Sequence, residues 1–157
     1  MIAYVGAGSN VGDREGTLRQ AAEHLARYQW IRCRDISPFY ETPPAGYLPQ
    51  GFFLNAVVAF ETELPPLFFF RKLRETEIFF GRKRAVRNGP RTIDLDFLAY
   101  DGWIFRKSGL LLPHPELHRR WFVLKPFSDI EPGWVHPLFR RTIRELLDDC
   151  LTGERPS

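Results

Sequence analysis

The chain of 157 residues is poor in cysteine: Cys33 and Cys150 are the only two, far apart and outside any C-x-x-C spacing. That arithmetic argues against a thiolate metal site or a disulfide framework, so a reducing, cytoplasmic setting is expected. No apolar run approaches the roughly 18 residues of a membrane span, and no charged segment followed by an apolar one opens the chain. No membrane association is therefore expected. Charge of one sign is also scarce: the net charge of +3 is too mild to point to wholesale nucleic-acid binding. A G-x-x-x-x-G-K-[ST] segment is absent, which excludes a P-loop. Gly6, Gly8 and Gly12 are spaced G-x-G-x-x-x-G, off the dinucleotide fingerprint, and this length leaves no room for two mononucleotide halves. There is no internal repeat, low-complexity tract or interdomain linker.

What remains is a composition of 44% hydrophobic and 26% charged residues, ordinary for one domain with a real core. Residues Ile2 to Ala7 read as a buried first strand, followed by a loop from Gly8 to Asp13. Asp13 is placed to cap a helix whose stripe is Leu18, Ala21, Ala22, Leu25 and Tyr28. Trp30 to Tyr40 reads as a second strand and Phe52 to Thr62 as a third. Between them Glu41 to Gly51 is a long Pro- and Gly-rich loop, a length that hints at function. Pro65 and Pro66 open a helix that runs to Phe80, with Gly81 suited to its C-terminal cap. Trp103 to Phe105 reads as a short returning strand. Thr142 and Glu145 form a capping box for a last helix. The order β-α-β-β-α-β is that of an α+β, ferredoxin-like fold: an antiparallel sheet with helices on one face and C-terminal additions. Strands one and three would be central, two and four at the edges.

The stretch Thr92 to Leu98 alternates polar and apolar with period two. Ile93, Leu95 and Phe97 point to one face; Asp94 and Asp96 point to the other, their Cα atoms roughly 6.5–7 Å apart from the strand rise. Two carboxylates that close suit a shared divalent cation, or else a solvated edge strand that discourages aggregation. Just before them crowd Arg82, Lys83, Arg84, Arg87 and Arg91. Such a run is either a solvated loop or a set of guanidinium forks for phosphate oxygens beside a carboxylate-bound metal. Other positions also carry two readings. Asn55 is the one polar residue of an apolar strand, facing solvent or anchoring a heterocycle. Glu77 falls inside a helical apolar stripe, as a buried salt bridge or as a site residue. Arg119, Arg120, Trp121 and Phe122 put bases beside aromatics, fit for a stacked ring next to phosphates, while Phe122 to Leu124 could be core instead. His114 and His118 are interrupted by Pro115, which argues against a helical His–His metal pair.

Taken together these segments resemble the 6-hydroxymethyl-7,8-dihydropterin pyrophosphokinase family of folate biosynthesis. The resemblance covers roughly residues 2–138. It rests on Gly8-Ser9-Asn10, Tyr40 to Pro44, Phe53-Leu54-Asn55-Ala56, Glu77 with Gly81-Arg82-x-Arg84, Gly89 to Asp96, and Pro113-His114-Pro115 with Arg120-x-Phe122. It implies a Mg²⁺-dependent transfer of the pyrophosphoryl group of ATP to the pterin hydroxymethyl oxygen, with AMP released. It further implies two Mg²⁺ on Asp94 and Asp96, and ATP contacts from Glu77, Arg82, Arg84, Arg91, His114 and Arg120. Arg82 and Arg91 would share the catalytic role with the two aspartates. Phe53 and Phe122 would sandwich the pterin, Asn55 would bond its edge, and backbone near Thr42, Pro43 and Ala45 would complete the slot. No general base stands out. The chain departs from the pattern in that the loop from Arg84 to Gly89 is one residue shorter than in some members, Asn88 stands where tryptophan is common, and Arg74 stands where some members carry glutamine. Segments Tyr47 to Phe52 and Lys83 to Asn88 are expected to move on nucleotide binding, and a monomer is expected.

Two other classes compete. A ferredoxin-like RNA-binding module would use the basic run and Phe53 and Phe122 as stacking platforms, but no RNP1 pattern is present and Asp94 and Asp96 would repel a phosphate backbone. A metal-dependent nucleotidyltransferase would need a third carboxylate on a neighbouring strand, and the third strand offers none in its interior.

Overall fold

The computed structural model describes residues 1–43, 51–81 and 93–153. Its elements run β1 (Ile2–Ser9), α1 (Arg14–Ala26), β2 (Ile31–Ile36), β3 (Tyr40–Thr42), β4 (Phe53–Thr62), α2 (Pro66–Phe79), β5 (Asp94–Tyr100), β6 (Phe105–Lys107), β7 (Leu110–Leu112), a 3₁₀ turn (Leu117–Arg119), α3 (Trp121–Ile130) and α4 (Ile143–Thr152). The sheet order is β2-β4-β1-β5, all antiparallel, with strands from the first and third core positions in the middle. That is the ferredoxin-like order expected from the sequence. Asp13 caps α1 by accepting from the Gly16 N–H, and Gly81 follows α2 with φ +78°.

The expected second strand is broken in two. Pro38 has no N–H to give the ladder, and Ser37 instead exchanges bonds with Val57: its N–H donates to the Val57 carbonyl and its hydroxyl accepts from the Val57 N–H. β3 then resumes along β4, pairing Tyr40 with Asn55 and Thr42 with Phe53. β1 is also longer than expected. It continues through Gly8 to Ser9, so Gly8 lies in a strand and not in a loop.

Both faces of the sheet are covered. On one, Val5, Phe60, Leu95 and Phe97 pack against Leu18, Leu25, Phe69 and Leu73 of α1 and α2. On the other, Tyr4, Val57, Ala59 and Leu98 pack against Val123, Leu124, Phe127, Ile143 and Leu146 of α3 and α4. Tyr4 stacks on Phe127 with centroids 4.7 Å apart. The two core helices share one face, as expected; the C-terminal additions α3 and α4 cover the other, which the expectation from sequence left open. α3 went unread because Pro126 sits inside it, which argues against a helix although Val123, Leu124 and Phe127 keep a helical spacing. α3 and α4 do not cover the whole second face. The uncovered part, beside the N-terminal end of α3, is a cavity.

Candidate active site

The floor of the cavity is set by strand register. Gly8 lies opposite Asn55 on β4 and opposite Asp94 on β5; Gly6 lies opposite Asp96. Residues opposite one another share a face, so Asn55, Gly8 and Asp94 form one row across three strands. Neighbouring strands lie about 4.8 Å apart, which puts Asn55 and Asp94 about 10 Å from each other. The glycine between them leaves the floor open. A methyl group at Gly8 would come within 3.3 Å of Asn55 Oδ1.

The space above this floor measures about 620 Å³, within the usual range for small-molecule sites. Its lining falls into two halves. Thr42, Pro43, Phe53, Asn55 and Phe122 make an aromatic and amide half; Asp94, Asp96, Arg74, His114 and Arg120 make a charged half. Each half draws its residues from separate parts of the chain.

On the amide side, Asn55 Nδ2 donates to Thr42 Oγ1 at 2.8 Å and to the Tyr40 carbonyl at 3.3 Å. With the nitrogen so committed, Oδ1 is the atom turned toward Gly8 and the cavity. Asn55 therefore offers a hydrogen-bond acceptor. Among the two readings of Asn55, the solvent-facing one fails, since the residue is buried.

On the charged side, burial and then the nearby Asp94 charge push the Asp96 carboxyl up to about 6, against the opposing pull of Arg120 and Arg74. Arg120 Nη1 lies 4.0 Å from Asp96 Oδ2, with its guanidinium over the Phe122 ring at 5.9 Å. His114 is fixed by a β-bulge. β5 gains one residue against β1 between Phe97 and Ala99, so Leu98 and Ala99 both face the second core, and the Leu98 carbonyl accepts from the His114 N–H at 2.8 Å. Bulges commonly re-aim groups next to sites. His114 Nδ1 accepts from the Glu116 N–H, which leaves the ring proton on Nε2 as a donor. Burial, followed by the Arg120 charge, holds the His114 pKa below its ordinary value.

Among the sequence-expected site residues, the structure brings together Thr42, Pro43, Phe53, Asn55, Asp94, Asp96, His114, Arg120 and Phe122 on one cavity wall. Glu77 stands behind that wall: it is 2% exposed, ion-paired to Arg74 at 2.7 Å and bonded to the Leu95 N–H. Ala45, Arg82, Arg84 and Arg91 lie outside the described residues, as do most of the segments expected to move, 47–50 and 83–88. Arg74 and Trp121 line the cavity without having been assigned a role. For Arg74 the sequence held only a base at a position where some members of the resembled family carry glutamine. His118 does not line the cavity; it packs on Phe139 at 4.7 Å.

Among the described residues no cluster of three or more His, Cys, Asp or Glu is arranged to hold a metal ion. Asp94 and Asp96 nonetheless fit a divalent cation, because the crowding in which the Asp94 charge raises the proton affinity of Asp96 is relieved by positive charge between the two carboxylates. Mg²⁺ commonly takes one or two carboxylates and completes its shell with substrate phosphates and water. No helix of the described residues is long and apolar enough to cross a membrane.

Comparison with known proteins agrees with the geometry. Residues 4–132 match the family model of 7,8-dihydro-6-hydroxymethylpterin-pyrophosphokinase. A 2-amino-4-hydroxy-6-hydroxymethyldihydropteridine pyrophosphokinase of Methylorubrum extorquens is 44% identical over 145 residues, which cover 92% of this chain and 90% of that protein. The folic acid synthesis protein fol1 of Schizosaccharomyces pombe is 38% identical over 94% of this chain, which spans only 20% of that longer protein. A crystal structure of Plasmodium falciparum HPPK-DHPS with pteroate superposes with a TM-score of 0.77 at 15% identity, covering 96% of this chain and 42% of that one, a likeness of fold. The match along most of the chain, at this identity, establishes that the chain belongs to the 7,8-dihydro-6-hydroxymethylpterin-pyrophosphokinase family.

Proposed function

We propose that the chain transfers the β,γ-pyrophosphoryl group of ATP to the hydroxymethyl oxygen of 6-hydroxymethyl-7,8-dihydropterin, releasing AMP, in folate synthesis. The new bond joins the pterin oxygen to the β-phosphorus. The bond between the β-phosphorus and the oxygen bridging to the α-phosphorus breaks, and the hydroxyl proton is released. The observation that carries this reading is the row Asn55–Gly8–Asp94, which sets a ring-binding group and a phosphate-side carboxylate about 10 Å apart on one open floor.

On the ring side, Phe53 and Phe122 line the cavity and supply faces for stacking. The Asn55 oxygen accepts from an N–H of the pterin edge, and Thr42 holds the amide in that sense. On the phosphate side, Arg120 and the His114 Nε2–H donate to phosphate oxygens. The N-terminal residues of α3 also line the cavity, where the helix dipole favours negative charge. Arg82, Arg84 and Arg91 are assigned to the triphosphate from their place in the family pattern. Two Mg²⁺ held by Asp94 and Asp96 would neutralise charge on those oxygens. Chemistry of this kind asks mainly for positioning and charge neutralisation, and the absence of a clear general base is consistent with that.

Titration calorimetry with α,β-methylene ATP, with and without Mg²⁺ and then with the pterin added, tests the reading. Nucleotide binding that requires Mg²⁺ and strengthens pterin affinity supports it. Nucleotide binding indifferent to Mg²⁺ removes Asp94 and Asp96 from the metal role.

A further inference from the structure

β5 is an edge strand, so the N–H and carbonyl of alternate residues on it point away from the sheet with no strand to pair. At Leu95 both outward groups are taken by α2. The Leu95 N–H donates to Glu77 Oε2 at 2.8 Å, and the Leu95 carbonyl accepts from Arg74 Nη2. Arg74 Nη1 and Glu77 Oε1 are themselves joined at 2.7 Å, which closes a ring of contacts. The two side chains are three residues apart on one helix face, where such pairs meet. The Arg74 guanidinium is steadied further by the Phe70 ring, 4.9 Å away.

An ion pair with Glu77 buried and Arg74 half-buried is a costly way to satisfy these two backbone groups, since neutral polar side chains could bond them without desolvating a charge. What distinguishes this peptide is its place: Leu95 is the residue between Asp94 and Asp96. Its own side chain is 2% exposed in the helix-side core. With the N–H, the carbonyl and the side chain all held, the flanking residues have little freedom to twist, and both carboxylates stay on the cavity floor. We propose that the Arg74–Glu77 pair is a positioning device that clamps the two peptide units flanking Leu95 and so sets the spacing of Asp94 and Asp96 for a divalent cation. The inference rests on the metal role proposed above.

The probe is Mn²⁺ with α,β-methylene ATP, followed by the electron paramagnetic resonance of bound Mn²⁺ and by amide hydrogen exchange at Leu95. Glu77→Met keeps the volume and removes the acceptor for the Leu95 N–H; Glu77→Gln keeps an acceptor and removes the charge. Loss of an outer-shell support typically weakens metal binding about tenfold or more. Glu77→Met is expected to show that weakening, a broadened Mn²⁺ spectrum and faster exchange at Leu95, whereas Glu77→Gln restores most of the affinity. Wild-type Mn²⁺ affinity in Glu77→Met, despite faster exchange, overturns the proposal. So does equal weakening in both variants, which would assign the effect to charge instead of position. Should Glu77→Met fail to fold, Arg74→Met removes the contact to the Leu95 carbonyl from a half-buried position; because it also removes a positive charge beside Asp96, which alone would tighten cation binding, weaker Mn²⁺ binding there supports the clamp and unchanged or tighter binding overturns it. Wild-type protein that binds the nucleotide without Mn²⁺ dependence would instead bring down the metal reading itself.

Discussion

Thr42→Val replaces a hydroxyl by a methyl of nearly the same shape, in a residue that is 8% exposed beside an Asn55 that is 9% exposed. The substitution removes the acceptor of the 2.8 Å bond from Asn55 Nδ2 and leaves only the longer 3.3 Å bond to the Tyr40 carbonyl. One N–H of a buried amide then lacks a partner, which costs about 1–2 kcal/mol. For a domain of this size that is a fall in Tm of roughly 2–8 °C. The functional effect is separable. An amide no longer held by Thr42 can turn its nitrogen toward the cavity, and the loss of one oriented acceptor, about 1 kcal/mol, is about a fivefold weaker pterin Kd. The nucleotide half of the site is untouched. Calorimetry with each ligand separately, alongside thermal melts, reads all three numbers. A lower Tm with an unchanged pterin Kd would refute the claim that Asn55 presents its oxygen to the ring. Equal weakening of both ligands would refute the division of the cavity into two halves.

Other perturbations give expectations of their own. Burial, and then the neighbouring His118, push the His136 pKa down to about 4 from its ordinary 6.5. Between those values only the unfolded chain takes the proton, so stability falls as pH drops from about 6.5 to about 4, by up to about 3 kcal/mol, and this group adds no slope below that. His136→Asn, whose carbonyl can replace Nδ1 as acceptor for the Leu138 and Phe139 N–H groups, should flatten the slope in urea titrations at several pH values; an unaltered slope contradicts the assignment. Thr142→Ala removes half of the capping box on α4, in which the Thr142 hydroxyl accepts from the Glu145 N–H at 3.1 Å, and should cost about 1 kcal/mol by urea denaturation. Phe122→Ala removes one cavity-lining ring and should weaken the pterin about tenfold, with an unchanged pterin Kd counting against stacking there.

The parts of this protein that were legible from sequence are those where local periodicity and tertiary role agree. The alternation around Asp94 and Asp96 placed Leu95 and Phe97 in the core and the acids on the opposite face, as found. The Thr142 capping box and the proline-led start of α2 were equally plain. Misreadings arose where a residue's job is set by what crosses over it. Gly8 suggested a loop, because glycine is uncommon inside strands; it is in β1, where a side chain would crowd Asn55 on the cavity floor. The helix α3 was hidden by Pro126, and with it the covering of the second face. Glu77 was recognised as needing a partner, yet its actual partners, Arg74 and the Leu95 peptide, depend on α2 lying along the β5 edge. That is a tertiary fact with no local signature.

The central claim is that a pyrophosphoryl group, and not a single phosphoryl group, leaves ATP for the pterin. The most direct test incubates the purified protein with ATP, Mg²⁺ and 6-hydroxymethyl-7,8-dihydropterin and follows the nucleotide products by phosphorus NMR. The account predicts AMP in one-to-one ratio with a pterin diphosphate, and no AMP when the pterin is left out. Formation of ADP with a pterin monophosphate, or AMP release that does not depend on the pterin, would contradict it.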